Sequence, residues 1–203
     1  MRIVFATGNQ NKMREIREIL GGDDFEILSM KEAGIEADIV EDGATFSENA
    51  IIKAKAIGEI MGRDDTIVMA DDSGLVIDAL NGEPGVYSAR YMGEDTSYRI
   101  KNANLIERLK DVPEGKRTAR FVCAMAAYFP GGLVKCVEGK IEGRIGYEER
   151  GTNGFGYDPI FYLPDRDVST AEIPPEEKNA ISHRGNALRL MKQEVTKWMT
   201  EQR

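Results

Sequence analysis

Asp71 and Asp72 stand side by side at the end of Thr66-Ile67-Val68-Met69-Ala70, an apolar and β-branched run of strand length. Adjacent carboxylates repel each other, so a cation, a proton or full solvation has to accompany them. Acids at the carboxyl end of a buried strand also lie where open α/β sheets place ligand chemistry. Taken alone, the stretch reads equally well as a solvated Asp-Asp-Ser-Gly turn or as a site. Gly74 is expected to turn the backbone before Leu75-Val76-Ile77 resumes a strand.

Other stretches tip the balance towards a site. Thr7-Gly8-Asn9-Gln10-Asn11-Lys12 separates a short apolar run, Ile3 to Ala6, from Met13, Ile16, Ile19 and Leu20 at helical spacing. A strand, a polar turn and a helix N-terminus present unpaired N–H groups and the positive end of the helix dipole, which suits phosphate. The turn is neither a Walker loop nor the three-glycine dinucleotide fingerprint. Gly154-Phe155-Gly156-Tyr157-Asp158-Pro159 surrounds an aromatic with glycines, either a platform for a planar ligand or a loop whose Phe tucks into the core. Late in the chain come Lys178, the single histidine His183, and Arg184. His183 lies in a polar Ser-His-Arg-Gly segment, which argues against a core position. With Glu41 added to Asp71 and Asp72, these are the parts that hold a nucleoside triphosphate together with a hard divalent cation, because Mg²⁺ takes one or two carboxylates plus phosphate oxygens.

The elements that must position these residues are legible from periodicity. Phe25 to Leu28 reads as a strand, and Gly21-Gly22 closes the first helix. Glu36 to Asp42 is acidic and irregular. Thr45-Phe46-Ser47-Glu48 is a capping box opening a helix with Phe46, Ala50, Ala54, Ile57 and Met61 on its apolar face. Lys53 falls off that stripe near Asn49, and is either a solvated lysine or one aimed at the site. Asn81 to Gly85 is a loop, Tyr98 to Lys110 a helix, and Ala119 to Phe129 with Leu133 to Gly146 a long hairpin turned at Pro130-Gly131-Gly132. A proline-started helix follows Pro174, and Leu188, Met191, Val195 and Trp198 mark a final packing helix.

With 203 residues, 41% hydrophobic and 31% charged, the chain can bury one sizeable core, folded as one body or as two lobes around a cleft. A net charge of -8 argues against coating a nucleic acid polymer or an anionic membrane, which need a basic footprint. Cys123 and Cys136, the two cysteines, are too few and too far apart for a zinc motif and read as buried free thiols. Met1-Arg2 leads directly into a strand, and no stretch has the length of a membrane span, so a cytoplasmic location is expected.

Thr7-x-Asn9-x-x-Lys12, Ala70-Asp71-Asp72-Ser73-Gly74-Leu75, Gly154-Phe155-Gly156-Tyr157-Asp158-Pro159 and Ile181-Ser182-His183-Arg184 occur in the same order in the inosine/xanthosine triphosphate pyrophosphatase family. The chain resembles that family over essentially its whole length. The resemblance implies an α/β fold with an elongated mixed β-sheet flanked by helices, two lobes with a central substrate cleft, residues 1–203 as a single domain, and a homodimer. It implies Mg²⁺-dependent hydrolysis of ITP, dITP and XTP to monophosphate and pyrophosphate.

Carried over by position, the resemblance makes Thr7, Gly8, Asn9, Gln10, Asn11 and Lys12 the phosphate-binding turn. Asp72 becomes the catalytic acid-base residue and a metal ligand, with Glu41 as the second metal carboxylate. Ser73 and Lys53 would contact the sugar-phosphate part. Phe155, Gly156, Tyr157 and Asp158 would lie beside the base, with Phe155 stacking, and Lys178, His183 and Arg184 would read its edge. Asn153 departs from the family, which more often has Gly there. Two other functions fit the same residues: a house-cleaning pyrophosphatase for other modified nucleotides, and a nucleotide sensor that does not hydrolyse its ligand. The three carboxylates argue against the sensor.

Overall fold

The computed structural model describes residues 1–21, 25–62 and 65–202; Gly22, expected to help close the first helix, lies outside them. Its strands are β1 (Arg2–Phe5), β2 (Glu26–Ser29), β3 (Thr66–Ile77), β4 (Thr118–Tyr128), β5 (Val134–Ile145) and β6 (Phe161–Tyr162). Its helices are α1 (Gln10–Leu20), α2 (Phe46–Met61), α3 (Tyr98–Arg108), α4 (Pro175–Ile181) and α5 (His183–Glu201). The strands form a six-stranded sheet in the order β2-β1-β3-β4-β5-β6. β1 pairs in parallel with β2 and with β3, and β5 pairs antiparallel with β6, so the sheet is mixed as expected. Each parallel pairing encloses a helix between its strands, as a crossover requires.

The chain divides into two compact units: Met1–Asp72 with Cys123–Gly139 and His183–Arg203, and Ser73–Val122 with Lys140–Ser182. In the first unit, strand alternation builds two cores. Ile67 and Met69 of β3 join Ile3, Phe5, Met13, Ile16, Leu188 and Met191, which brings α1 and α5 to one face. Val68 and Ala70 point the other way and join Ala50, Ala54 and Ile57 of α2 with Ala124 and Ala126. Small residues on this second side let α2 lie close to the sheet. The capping box at the start of α2 is complete, with Thr45 Oγ1 accepting from Glu48 N–H and the Glu48 carboxylate accepting from Thr45 N–H.

β3 corrects one expectation. It runs without interruption from Thr66 to Ile77, so Gly74 does not turn the chain. An acidic pair need not end a strand: alternation separates the two side chains, and each finds its own direct partners.

The second unit is built on Leu75, Ile77, Leu105, Leu109, Phe121, Ile145, Ile160 and Phe161. The rings of Phe121 and Phe161 lie 4.4 Å apart. Arg117 is wholly buried there, donating to the carbonyls of Leu109 (2.5 Å), Ile145 (2.8 Å) and Gly146 (2.7 Å) while the Tyr147 ring lies 4.1 Å from its guanidinium. These bonds make it a clasp between the end of α3 and the end of β5. No helix among the described residues is long and apolar enough to cross a membrane.

Candidate active site

The turn between β1 and α1 is ordered by its own side chains. Asn9 is the N-cap of α1, and its Oδ1 accepts from Asn11 N–H (3.0 Å) and Lys12 N–H (3.2 Å). Thr7 Oγ1 in turn accepts from Asn9 N–H at 3.1 Å. The expectation that these helix N–H groups stand ready for an anion is therefore corrected: Asn9 already takes two of them. What remains suited to phosphate is the charge of Lys12 and an open rim. Thr7, Gly8 and Gln10 line a cavity of ≈590 Å³ together with Met30, Ile35 and Ala37. A side chain at Gly8 would meet nothing within 4 Å, so that position keeps the rim low.

The alternation that builds the two cores also parts Asp71 from Asp72. Asp71 belongs to the α1/α5 side, where its fully buried carboxylate meets Lys12 Nζ at 3.0 Å and Arg184 Nη2 at 3.2 Å. Arg184 also donates to Glu15 of α1, forming a four-membered charge network in which Asp71, Arg184 and Glu15 are buried and Lys12 is half-buried. Burial alone would raise the Asp71 carboxyl, but the charges of Lys12, Arg184 and Lys53 together hold it far below the usual carboxylate range. Burial opposes the Arg184 charge too, and Asp71 and Glu15 more than offset it, keeping the guanidinium protonated. Cys123 lies 3.9 Å from Asp71, and burial followed by that negative charge pushes its thiol up to about 12.

Asp72 belongs to the α2 side. Asn49 Nδ2 donates to Asp72 Oδ2 at 3.1 Å, and Lys53 Nζ lies 3.9 Å from Asp72 Oδ1 and 2.8 Å from Glu41 Oε2. Lys53 thus points into the site, and one ammonium draws together acids from β3 and from the irregular loop before α2. Burial raises the Asp72 carboxyl above its ordinary value; Lys53 and Asn49 work against that rise, and Glu41 adds to it. Among the described residues, no group of three or more His, Cys, Asp or Glu side chains is arranged to hold a metal. Two carboxylates on a shared cation do match the donor set of a hard divalent ion whose remaining ligands are phosphate and water oxygens.

In the second unit the glycine-flanked loop is held by one acid. Asp158 is 3% exposed; its Oδ2 accepts from Phe155 N–H at 2.8 Å and from Lys178 Nζ at 2.5 Å, and its Oδ1 accepts from Thr170 Oγ1 at 2.8 Å. Lys178 Nζ lies 5.2 Å from the centre of the Phe155 ring. Phe155 is half-buried rather than lost in the core. Tyr157 is buried and donates to Ser88 O at 2.7 Å, while Asn102 donates to Gly156 O at 3.3 Å. Asn153 clasps the loop by donating from its side chain to Ile173 O at 3.0 Å.

The expected donor cluster is divided by the chain. Lys178 belongs to the second unit, His183 and Arg184 to the first. His183 is not in a polar turn: it opens α5 and is 7% exposed, because the helix starts one residue after Ser182. Ser73, half-buried, is the first residue of the second unit. Sequence reasoning missed Glu15, Asn49, Asn102 and Thr170. Glu15 carried a signal, a charge beside Met13 and Ile16 on a helix whose apolar stripe must be buried. Cys136 is half-buried rather than buried.

A family model described as the Ham1 family matches residues 3–194. The chain belongs to the Ham1 family. A dITP/XTP pyrophosphatase of Exiguobacterium sibiricum is 45% identical over 201 residues, covering 99% of this chain and 100% of that protein. A dITP/XTP pyrophosphatase of Geobacter sulfurreducens is 48% identical over 191 residues, 94% of each chain. The structure of a HAM1 protein from Coxiella burnetii superposes with a TM-score of 0.86 at 40% identity, covering 97% of this chain and 99% of that one. At that identity and coverage, the mixed sheet and its helices are the Ham1-family fold.

Proposed function

We propose that this Ham1-family chain hydrolyses deaminated purine nucleoside triphosphates, ITP, dITP and XTP, to the nucleoside monophosphate and pyrophosphate. The observation that carries the site is the meeting of Glu41 and Asp72 on Lys53. The substrate class follows from near full-length relatives that are dITP/XTP pyrophosphatases.

Each unit is assigned the part of the substrate its own residues suit. In the first, Thr7 to Lys12 and Lys53 take the triphosphate, and Glu41 and Asp72 hold Mg²⁺. A bound Mg²⁺ supplies charge neutralisation on the phosphate oxygens. Asp72 orients the attacking water and takes its proton at a carboxylate oxygen; a carboxyl raised by burial is the stronger base for that step. Lys12 and Lys53 stabilise the negative charge that grows on the departing pyrophosphate. Asp71 does not serve the metal in this scheme; its bond to Lys12 sets where that ammonium stands. In the second unit, Ser73 contacts the sugar-phosphate part and Phe155, Gly156, Tyr157 and Asp158 flank the base, with Phe155 stacking on it.

Lys178, His183 and Arg184 are assigned the base edge. A 6-oxo purine offers an acceptor there, whereas adenine offers a donor and would leave each such group unpaired at a cost of about 1–3 kcal/mol. Residues 1–203 work as one catalytic domain, in the cytoplasm where free nucleotides are found, and as a homodimer. Tyr87, Met92 and Ile100 expose apolar surface suited to such a contact, and light scattering reads the mass.

The test is product analysis with ITP, XTP, dITP, GTP and ATP in Mg²⁺. Monophosphate plus pyrophosphate from ITP, dITP and XTP, with ATP turned over far more slowly, is expected. Diphosphate plus phosphate, or equal rates on ATP, would overturn the assignment, and binding without turnover would favour the sensor.

A further inference from the structure

Asn49 is 1% exposed on α2, and both ends of its side-chain amide are in use. Nδ2 donates to Asp72 Oδ2 at 3.1 Å, and Oδ1 accepts from Gly43 N–H at 2.8 Å. Gly43 follows Glu41 by two residues, so one amide connects the strand that carries Asp72 to the loop that carries Glu41. The loop is seated closely: a Cβ at Gly43 would come within 2.7 Å of Asn49 Oδ1 and 2.7 Å of Glu48 Cβ. The same turn of α2 fixes the next residues, because the Glu48 carboxylate accepts from Ala44 N–H at 2.7 Å and Thr45 N–H at 3.2 Å. The capping box is therefore a rigid wall, and Asn49 extends it by one residue towards the acids. By occupying Asp72 Oδ2, it also turns Oδ1 to the side where Lys53 holds Glu41.

We propose that Asn49 is a positioning residue of the reaction: it fixes the spacing of Glu41 and Asp72 so that both reach one divalent cation, without touching cation or substrate itself. The inference rests on the assignment of those two acids to the cation. Groups that orient metal ligands typically account for about 10- to 100-fold in metal affinity or activity. Asn49 differs from an ordinary helix-start asparagine in that its partners are a candidate ligand and the backbone two residues from another.

The test is Mn²⁺ binding followed by electron paramagnetic resonance in the presence of the α,β-imido analogue of ITP. Wild type, Asn49→Ala, Gly43→Ala, Glu41→Gln and Asp72→Asn are compared, with melting curves and Mg²⁺-supported kinetics on the same preparations. Asn49→Ala and Gly43→Ala are expected to weaken Mn²⁺ binding about 10- to 100-fold and to lower kcat by a similar factor, with KM for ITP at saturating Mg²⁺ changed less than threefold. Gly43→Ala keeps every donor and acceptor and disturbs only the seating, so it decides alone where Asn49→Ala does not fold. Wild-type Mn²⁺ affinity in a folded Asn49→Ala or Gly43→Ala, whatever the melting temperature, overturns the positioning role. Wild-type affinity in both Glu41→Gln and Asp72→Asn overturns the assignment of the acids instead.

Discussion

Asp71 and Asp72 are neighbours in sequence whose carboxylates serve opposite faces of β3, Asp71 with Lys12 and Arg184, Asp72 with Asn49 and Lys53. The pleat does what a solvated turn would otherwise have to do. It separates the two charges and gives each different direct partners, although the charges of Lys12 and Lys53 act on both. One acid becomes a fixed, permanently ionised anchor, and the other keeps a raised, usable proton affinity. Their replacement should therefore have opposite signatures.

Replacing Asp72 by Asn should remove most turnover while leaving the fold as stable as wild type or more so. The folded carboxyl is raised, so the native state binds its proton more tightly than the unfolded chain does, and above that pKa the charge costs stability. Asn removes this cost at neutral pH. Melting temperatures in EDTA should be equal to or above wild type at pH 7, the gap narrowing as pH falls through the raised pKa of the folded carboxyl and gone below about 4. A variant that melts well below wild type at pH 7 contradicts the burial argument.

Replacing Asp71 by Asn should do the reverse. Lys12 and Arg184 lose their shared counter-charge inside the first unit, and breaking such a buried network costs about 3–5 kcal/mol. Because the folded carboxyl is depressed, its contribution is present above the ordinary carboxylate pKa and is lost as pH falls below about 4. Urea denaturation at a series of pH values should show wild type losing stability more steeply than Asp71→Asn below that point.

Gly139 is a position where a methyl group cannot be tolerated. A Cβ there would come within 2.3 Å of Ala187 N and 2.4 Å of His183 O, both backbone atoms of α5. Gly139→Ala should destabilise the protein by about 1–3 kcal/mol. It should also weaken substrate use by displacing the helix turn that bears His183 and Arg184. A melting curve and KM for ITP measure both; an unchanged pair would show that α5 can move aside freely.

The Asp158–Lys178 pair should behave as one unit. Lys178→Met leaves a buried carboxylate without its cation, and Asp158→Asn leaves a buried ammonium, so each single variant should lose about 3–5 kcal/mol. The double variant should lose clearly less than the sum. Additive losses in a denaturation cycle would mean that the 2.5 Å contact contributes nothing specific.

Thiol labelling offers a direct check on burial. Cys123 is fully buried, with its thiol pushed up to about 12 by that burial and by Asp71, whereas Cys136 is half-buried. Native protein should therefore react with a thiol reagent at Cys136 alone, and both should react in denaturant.

Much of this fold was readable from periodicity and caps. The stripe from Phe46 to Met61, the Thr45–Glu48 box and the hairpin turned at Pro130-Gly131-Gly132 are local patterns, and local patterns survive folding. The continuity of β3 was not readable, because Asp-Asp-Ser-Gly is strong turn chemistry by composition. Only the cations of α1, α2 and α5, distant in sequence, make it acceptable inside a strand. For the same reason Glu15 and Asn49 escaped notice: each matters through partners on other elements, Arg184 for one and Gly43 with Asp72 for the other. At His183 the flanking Ser and Arg suggested an exposed turn, and it was the start of α5 that buried it.

Asp158 fastens the aromatic loop and the Lys178 ammonium with the same oxygen. A chain built this way cannot revise the base contact proposed for this loop one residue at a time, since altering either tenant of that oxygen disturbs the other. Among descendants of this sequence, new substrate preferences should therefore arrive as abrupt, multi-residue exchanges around Asp158 and not as a gradual drift.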